Sequence, residues 1–344
     1  MVESDAYAAA GVDIGAGNAA VSLYKKLTEG WKHPDQIGGI GSFNGLFRLP
    51  GDATRALVAS TDGVGTKLLI AAALERYDTV GGDLVNHCVN DILVTNAAPL
   101  FFLDYLAVGK LVPEVAASIV SGVQRACREN DTALLGGETA EMPGMYGDGE
   151  FDLAGTIVGV VDLDQIPPVD SVAAGDAIIA FPSVGLHTNG YSLARALVPT
   201  EEWNSHVPGG DHVTYADALL APHPSYLREV EAIRRVARIK AMAHITGGGL
   251  IDNVPRALPA GCKAIFEQTR WRVPPLMRDL VKRGDLRLEE RYRTFNMGIG
   301  YTLIVSLAEA PRALGAVPGA FVAGWIEARG KDDPAVVIHP AREG

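Results

Sequence analysis

The sequence predicts a two-domain protein of the α/β (α+β) class, with helices layered on β-sheets. The chain has 344 residues, about the length of two domains, and 48% of them are hydrophobic, which is enough to form two cores. Apolar runs of strand length alternate with longer amphipathic stretches, as expected for this class. The proline-containing stretch 165–172 interrupts the alternation, so we expect domains at 1–168 and 169–344.

The elements are predicted in order along the chain. In the first domain, we expect strands at 56–60, 99–108, 132–135 and 153–162, and helices at 82–96 and 113–128. In the second domain, we expect a strand at 176–181, a helix at about 190–198, a polar stretch at 207–224, a helix at 225–238 and a last pair of strands at 298–306 and 320–326. No fixed-period repeat is visible, which argues against a solenoid.

Charge and composition exclude several classes of protein. The formal net charge is −11 and no basic run is present, so the chain should repel nucleic acid. The N-terminus lacks the features of a secretion signal and no apolar run is long enough to cross a membrane. Cys88, Cys127 and Cys262 are widely spaced in apolar contexts, which indicates reduced thiols. We therefore expect a cytoplasmic protein that contacts neither nucleic acid nor membrane.

The stretch STDGVGTK (60–67) places charged groups directly after an apolar run. It is not a phosphate-binding P-loop, because the residue types stand in a different order and spacing. Its glycines would still let backbone N–H groups approach an anion, Lys67 supplies a positive charge, and Asp62 could hold a divalent cation. The alternative is a plain strand-to-helix turn in which Asp62 caps a helix and Lys67 is solvated.

The stretch GGDLVNHCVNDILV (81–94) predicts a helix with one polar face. Asp83, His87, Asn90 and Asp91 lie within about 100° of one another on that helix. Two carboxylates and an amide suit Mg²⁺, and the alternative is a solvated helix face. We expect His87 to lie outside the metal site, because oxygen-rich Mg²⁺ sites rarely include imidazole.

The stretch LLGGETAEMPGMY places Glu138 beside Gly136 and Gly137 at the end of a predicted strand. The glycines permit close backbone approach, so Glu138 is a further candidate oxygen ligand. The competing interpretation is an ordinary glycine-rich turn.

Two stretches of the second half, GLHTNGYSLARAL and AHITGGGLIDNVPRAL, share the order strand, histidine, hydroxyl, glycine, helix. His187 and His244 therefore stand where a helix N-terminus could bind an anion, and either could donate a hydrogen bond or act as a general base. Each could also be structural. The N-terminal segments AGVDIGAGN and GGIGSFNGLF could form a flap over a phosphate or simply a mobile terminus.

Taken together, these motifs resemble the phosphoribosylformylglycinamidine cyclo-ligase family, the aminoimidazole ribonucleotide synthetases, over essentially the whole chain. The matching segments are AGVDIGAGN, GGIGSFNGLF, TDGVGTK, GDLVNHCVNDILV, PLFFLDY, GGETAEMPGMY, GLHTNGYSL, AHITGGGL, NVPRALP and YRTFNMGIG. Ten matches in the same order are highly specific.

The resemblance implies a homodimer whose N-terminal domains build a shared β-barrel-like core, with a cleft between N- and C-terminal domains. It implies that formylglycinamidine ribonucleotide and ATP give aminoimidazole ribonucleotide, ADP and phosphate, with Mg²⁺ and K⁺ as ions. Transient contacts with neighbouring enzymes of purine biosynthesis would accompany this role.

The resemblance also implies roles for individual residues. Catalysis would involve Asp91, His187, His244 and Lys25; nucleotide binding would involve Asp62, Gly63, Val64, Gly65, Thr66, Lys67, Asn90, Gly136, Gly137 and Thr139; and the metal ligands would be Asp62, Asp83, Asp91 and Glu138.

The chain departs from the family pattern at three positions. Gly15 stands where the family usually has Asp, which removes a metal role there, and His87 stands where it has an apolar residue. The segment HPSYL replaces a usual Pro-Thr pair and weakens any role for His223.

The alternative functions are those of selenophosphate synthetase, thiamine-phosphate kinase and a non-catalytic nucleotide sensor. The cysteine of the first is missing from AGVDIGAGN, and the second lacks the GGETAEMPGMY and YRTFN segments.

Overall fold

The computed structural model describes residues 10–11, 14–28 and 30–341, apart from the side chains of residues 14 and 18. These residues form two compact units. Of the described residues, the N-terminal unit contains those up to Ile166 together with Leu219–Ser225, and the C-terminal unit contains Pro167–Ala218 and those from Tyr226 onward. Asp13, in the predicted glycine-rich flap, lies outside the described residues.

The N-terminal unit is a six-stranded mixed sheet with helices on one face. Its elements are α1 (Ile14–Thr28), β1 (Gln36–Ile37), β2 (Gly45–Arg48), β3 (Arg55–Gly63), α2 (Lys67–Ala73), α3 (Val80–Leu93), β4 (Ala98–Val108), α4 (Pro113–Glu129), β5 (Ala133–Glu141) and β6 (Phe151–Asp162). The strand order is β1-β2-β3-β6-β4-β5, in which only β4 and β5 pair in parallel. Alternate residues of β6 are buried, as expected when one face of a sheet is covered.

Helices α3 and α4 pack closely because glycines lie at their contact. A Cβ atom built on Gly81 would lie 2.3 Å from the carbonyl oxygen of Ile119, and one built on Gly122 would lie 2.5 Å from that of Asp78. Glycine is therefore required at position 81 by helix packing, and this contact sets the helix that carries Asp83, His87 and Asp91 against α4.

The C-terminal unit is a second mixed sheet with surrounding helices. Its elements are β7 (Ala177–Pro182), α5 (Tyr191–Leu197), α6 (Tyr215–Leu219), α7 (Leu227–Arg234), β8 (Ala241–His244), α8 (Gly249–Asn253), β9 (Cys262–Glu267), α9 (Pro275–Arg283), α10 (Leu288–Thr294), β10 (Ile299–Val305), α11 (Ala310–Ala316), β11 (Phe321–Ala328) and β12 (Val336–His339). The strand order is β12-β9-β11-β7-β10-β8, with β12 and β9 parallel.

The fold class, a mixed α/β protein with two sheets, is confirmed, and two details of the predicted strands are wrong. The strand predicted at 132–135 continues to Glu141, so the GGET stretch is strand rather than turn. The two predicted last strands do not pair with each other, because β7 lies between them, and β12 follows them. Neither sheet closes into a barrel among the described residues. Among the residues that the structure describes, no helix is both long enough and apolar enough to cross a membrane.

Candidate functional site

A charged centre forms in the N-terminal unit where the end of β3 faces α3. The Nε2 atom of His87 lies 2.8 Å from Asp62 Oδ2 and 3.8 Å from Asp91 Oδ2. The hydroxyl of Ser60 donates a hydrogen bond of 3.0 Å to Asp91 Oδ2. Because side chains alternate along a strand, Ser60 and Asp62 share the face of β3 that points towards α3. The predicted Asp62 and Asp91 are thus brought together.

His87 is buried between the two carboxylates, contrary to the expectation that it lies outside the site. Its side chain is 3% exposed, against 43% for Asp62 and 8% for Asp91. Burial acts to lower the pKa of His87, but the negative charges of Asp62, Asp91 and Asp83 and the hydrogen bond to Asp62 raise this pKa to about 9. An imidazolium therefore offsets the repulsion between the carboxylates at neutral pH.

Lys67 and Asp83 form an ion pair that is completely buried. Lys67 Nζ lies 2.6 Å from Asp83 Oδ2 and donates a second hydrogen bond of 2.8 Å to the carbonyl oxygen of Ala221. Burial lowers the pKa of Lys67 and raises that of Asp83, and the attraction between the two charges opposes both shifts. The predicted phosphate contact of Lys67 and metal contact of Asp83 do not fit this geometry, because each group is engaged by the other.

The segment Leu219–Ser225 is held by polar side chains of α3. The backbone N–H of His223 donates to Asp83 Oδ1 at 2.7 Å. The amide of Asn90 donates to the carbonyl oxygen of Pro224 at 2.9 Å and lies 3.2 Å from His223 Nε2. The rings of His87 and His223 meet edge to face, with centroids 5.4 Å apart. Asn90, predicted to bind nucleotide, is therefore committed to this segment.

The segment GGIGSFNGLF lies beside the charged centre. The amide of Asn44 donates a hydrogen bond of 2.7 Å to the carbonyl oxygen of Asp91, and the Ser60 hydroxyl donates one of 3.3 Å to that of Phe43. A pocket of about 480 Å³ is lined by this segment and by Ser60. Lys25 is exposed on α1, and its side chain lies close to Gly41. A Cβ atom built on Gly41 would be 2.7 Å from Lys25 Cε.

The turn between β3 and α2 leaves part of its backbone accessible. Gly63 ends β3, and the N–H of Val64 donates to the carbonyl oxygen of Leu153 at 3.1 Å. Gly65 has a φ of +70°, a left-handed conformation that favours glycine. Gly65 and Thr66 are exposed, whereas Val64 is buried.

Glu138 does not join Asp62 and Asp91. Asp62, Gly155, Asp104 and Gly137 form one row across β3, β6, β4 and β5, so that Gly137 is three strands from Asp62. At about 4.8 Å per strand this is about 14 Å, too far for Asp62 and the adjacent Glu138 to share one ion. Gly136, Glu138 and Thr139 lie exposed on β5.

The two predicted histidines of the C-terminal unit lie at the ends of a row of aromatic rings. His187 contacts Tyr226 (centroids 6.3 Å apart), Tyr226 contacts Tyr301 (5.6 Å), and Tyr301 contacts His244 (6.0 Å). Both histidines are completely buried, and His187 has a left-handed φ of +65°. The shared sequence pattern thus corresponds to the two ends of one row of rings, with His244 at the end of β8 and His187 in the turn that follows β7.

The ligand atoms of Asp62, His87 and Asp91 lie within 4.8 Å of one another. Carboxylate and hydroxyl oxygens of Asp62, Asp91 and Ser60 are donors that suit Mg²⁺, and an ion bound to them would replace the His87 imidazolium as the positive charge between the carboxylates. Sequence reasoning missed Ser60, Asn44 and His223, and it excluded His87. The alternation of residues along β3 could have indicated Ser60, but no local pattern indicates the contacts of His223, which lies about 130 residues from α3 in sequence.

We expect the contribution of His87 to stability to depend on pH. A histidine titrates near 6.5 when unfolded, so a folded pKa of about 9 stabilises the protein by about 3 kcal/mol at low pH. This stabilisation is fully present below about pH 6.5 and is lost as pH rises through about 9. In urea unfolding with EDTA present, the difference in unfolding free energy between the natural protein and His87→Met should shrink between about pH 6 and about pH 10.

The matched control is His206→Met, which replaces an exposed histidine and should show no such trend. A difference for His87→Met that stays constant with pH would contradict the assigned charge of His87.

Comparison with known proteins identifies the family. The N-terminal domain of AIR synthase related proteins matches residues 42–161, and the C-terminal domain of the same family matches residues 173–337. The phosphoribosylformylglycinamidine cyclo-ligase of Trichlorobacter lovleyi is 48% identical over 93% of this chain and 93% of its own, and that of Nitratidesulfovibrio vulgaris is 49% identical over 94% and 93%.

Among solved structures, the hydrogenase maturation protein HypE in complex with ATP has the same fold. The TM-score is 0.62 at 20% sequence identity, covering 85% of this chain and 83% of HypE. The domain matches and the identity to the cyclo-ligases show that this chain belongs to the AIR synthase related family.

Proposed function

We propose that the protein catalyses the ATP-dependent cyclisation of formylglycinamidine ribonucleotide to aminoimidazole ribonucleotide in purine biosynthesis, releasing ADP and phosphate. The observation that carries this proposal is the identity of 46–49% to cyclo-ligases over most of the chain. The likeness to HypE, at 20% identity, concerns the fold alone.

This reaction requires protein groups that hold a cation and phosphate groups, and it does not require a nucleophilic side chain. An amide oxygen is a poor leaving group, so the formamide oxygen of the substrate accepts the γ-phosphoryl group of ATP. The ribose-bearing nitrogen then attacks the same carbon and expels phosphate. Transfer of a phosphoryl group depends chiefly on positioning and on neutralising negative charge.

The residues of the N-terminal unit fit the nucleotide side of this chemistry. Asp62 and Asp91 would hold Mg²⁺, which neutralises phosphate oxygens when bound. The exposed backbone at Gly65 and Thr66 would contact phosphate oxygens, and Lys25 would bring a positive charge to the glycine-rich segment near Asp91. K⁺ is the monovalent ion that the family resemblance adds.

His187 and His244 would orient the substrate and move protons. A neutral imidazole can both donate and accept a hydrogen bond, and histidine is the side chain that most often transfers protons in enzymes. Ring contacts support both histidines, from Tyr226 to His187 and from Tyr301 to His244. Cys88, Cys127 and Cys262 are free and buried, which supports a cytoplasmic location for this activity.

The experiment on function compares ADP release with formation of aminoimidazole. Purified protein is incubated with ATP and Mg²⁺, with and without formylglycinamidine ribonucleotide, and the product is measured by diazotisation. We expect ADP and aminoimidazole in equal amounts and only with the substrate present. Substrate-independent ADP release, or binding of ATP without turnover, would contradict the proposal.

Replacing Asp91 by asparagine should lower kcat by about 100-fold or more, because one of the carboxylates proposed to hold Mg²⁺ is lost. Asp164→Asn, which changes an exposed carboxylate of the same unit, is the matched control and should retain full activity. Thermal unfolding of both variants checks that they are folded. A folded Asp91→Asn protein with near-normal kcat would remove the role given to Asp91.

We also propose that the chain forms a homodimer through the outer face of the N-terminal sheet, which closes a barrel-like core. Leu103 and Tyr105 point away from the helices and are 37% and 40% exposed in the single chain, and Val158 on β6 adds to the same face. An exposed apolar sheet face of this kind is typical of an interaction surface. Pairing two such faces would bury them in one core.

The double substitution Leu103→Glu/Tyr105→Glu should convert the dimer to a monomer, because it places carboxylates in the apolar interface. Leu307→Glu, at an exposed leucine of the C-terminal unit, is the control and should remain dimeric. Sedimentation velocity measures the mass of each species. A natural protein that sediments as a monomer, or a double variant that stays dimeric, would contradict this interface.

A further inference from the structure

A large pocket in the C-terminal unit lies apart from all the candidate site residues. Its volume is about 1060 Å³, at the upper end of the range for small-molecule sites. It is lined mainly by α9, by the residues that precede this helix from Trp271 and by the stretch from Asp285 to Met297. The other lining residues are Gly209, Asp211, Gln268 and Ala341. None of the residues assigned above to catalysis, nucleotide or metal lines it.

The pocket is positively charged in a strongly acidic protein. Arg272, Arg278, Lys282 and Arg291 line it against the two carboxylates of Asp211 and Asp285, a formal excess of two positive charges where the whole chain carries −11. Such a local excess of positive charge raises the concentration of anions at the pocket even though the molecule as a whole repels them.

The positively charged side chains of α9 differ in whether they form ion pairs. Arg283 donates to Asp279 at 2.6 Å and to Glu202 at 2.7 Å, so its charge is neutralised within the unit. Arg278 and Lys282, one turn apart on the same helix, are exposed and form no ion pair or side-chain hydrogen bond with the residues that the structure describes. Neighbouring like charges on a helix are unfavourable, and an anion bound between them would relieve the repulsion.

The apolar wall of the pocket is held in place by tertiary contacts. Trp271 is fixed by a hydrogen bond of 2.9 Å from its Nε1 to the carbonyl oxygen of Met297 and by stacking on Phe321. Leu286 and Tyr292 continue this wall and are almost fully buried. The pocket therefore offers a cationic side for an anionic group and an apolar side for the body of the same ligand.

We propose that this pocket is a second ligand site, which binds an organic phosphate of the nucleoside monophosphate class. The phosphate lies between Arg278 and Lys282, within reach of Arg272, and the base packs towards Trp271. Charge-assisted hydrogen bonds from the two side chains supply the specificity for phosphate, and the apolar wall selects ligands with a ring system over inorganic phosphate.

The test uses the full chain labelled with 5-fluorotryptophan and AMP as the probe. The protein has four tryptophans, and Trp271→Phe assigns the ¹⁹F resonance of Trp271. We expect AMP to shift this resonance saturably, and inorganic phosphate to bind at least about tenfold more weakly because it cannot contact the apolar wall. Saturation without a shift of the Trp271 resonance would place AMP elsewhere and overturn the proposal.

The charge reversal Arg278→Glu/Lys282→Glu should weaken AMP binding at Trp271 by about tenfold or more, since both phosphate contacts are lost. The control Arg235→Glu/Lys331→Glu changes the net charge by the same amount at exposed cations that do not line the pocket, and it should bind AMP as the natural protein does. An equal loss of AMP binding in both variants would show a general effect of net charge. Unchanged AMP binding in both would show that the pocket cations do not bind phosphate. Either result would overturn the proposal.

Discussion

The N-terminal unit depends on one buried ion pair, between Lys67 and Asp83. Removing two charges from water costs several kcal/mol per ion, and the cost is recovered only when the remaining hydrogen-bonding groups are also satisfied. Here the carbonyl oxygen of Ala221 accepts from Lys67, and the N–H of His223 donates to Asp83. The pair therefore joins three parts of the unit: the turn after β3, the helix α3 and the segment Leu219–Ser225, which is distant in sequence.

The charged centre is built next to this pair and by the same helix. His87 lies one turn beyond Asp83 on α3 and contacts Asp62, Asp91 and the ring of His223. The helix itself is set against α4 by the close approach at Gly81. Burial, helix packing and charge thus fix the two carboxylates that are proposed to hold Mg²⁺, and the raised pKa of His87 follows from the same geometry.

The sequence predicted the fold class and most long elements, because hydrophobic periodicity depends only on neighbouring residues. It also predicted that Asp62 and Asp91 belong together. It could not predict that Lys67 is buried, since a lysine after a glycine-rich turn has the same local pattern whether it meets a phosphate or a carboxylate. The partner of Lys67 depends on α3 and on a segment about 150 residues away. His87 was excluded on ligand preference and on the apolar residue usual at this position in the family, and its contact with Asp62 is a tertiary one.

The most direct test of this account asks whether Lys67 is a structural residue. Urea unfolding of Lys67→Met, Asp83→Leu and the double variant gives a double-mutant cycle. We expect each single substitution to lower the unfolding free energy by about 3–5 kcal/mol, because it leaves one buried charge without a partner, and the double variant to lose much less than the sum. A Lys67→Met protein that is as stable as the natural one but binds ATP poorly would contradict the account and would make Lys67 a phosphate ligand.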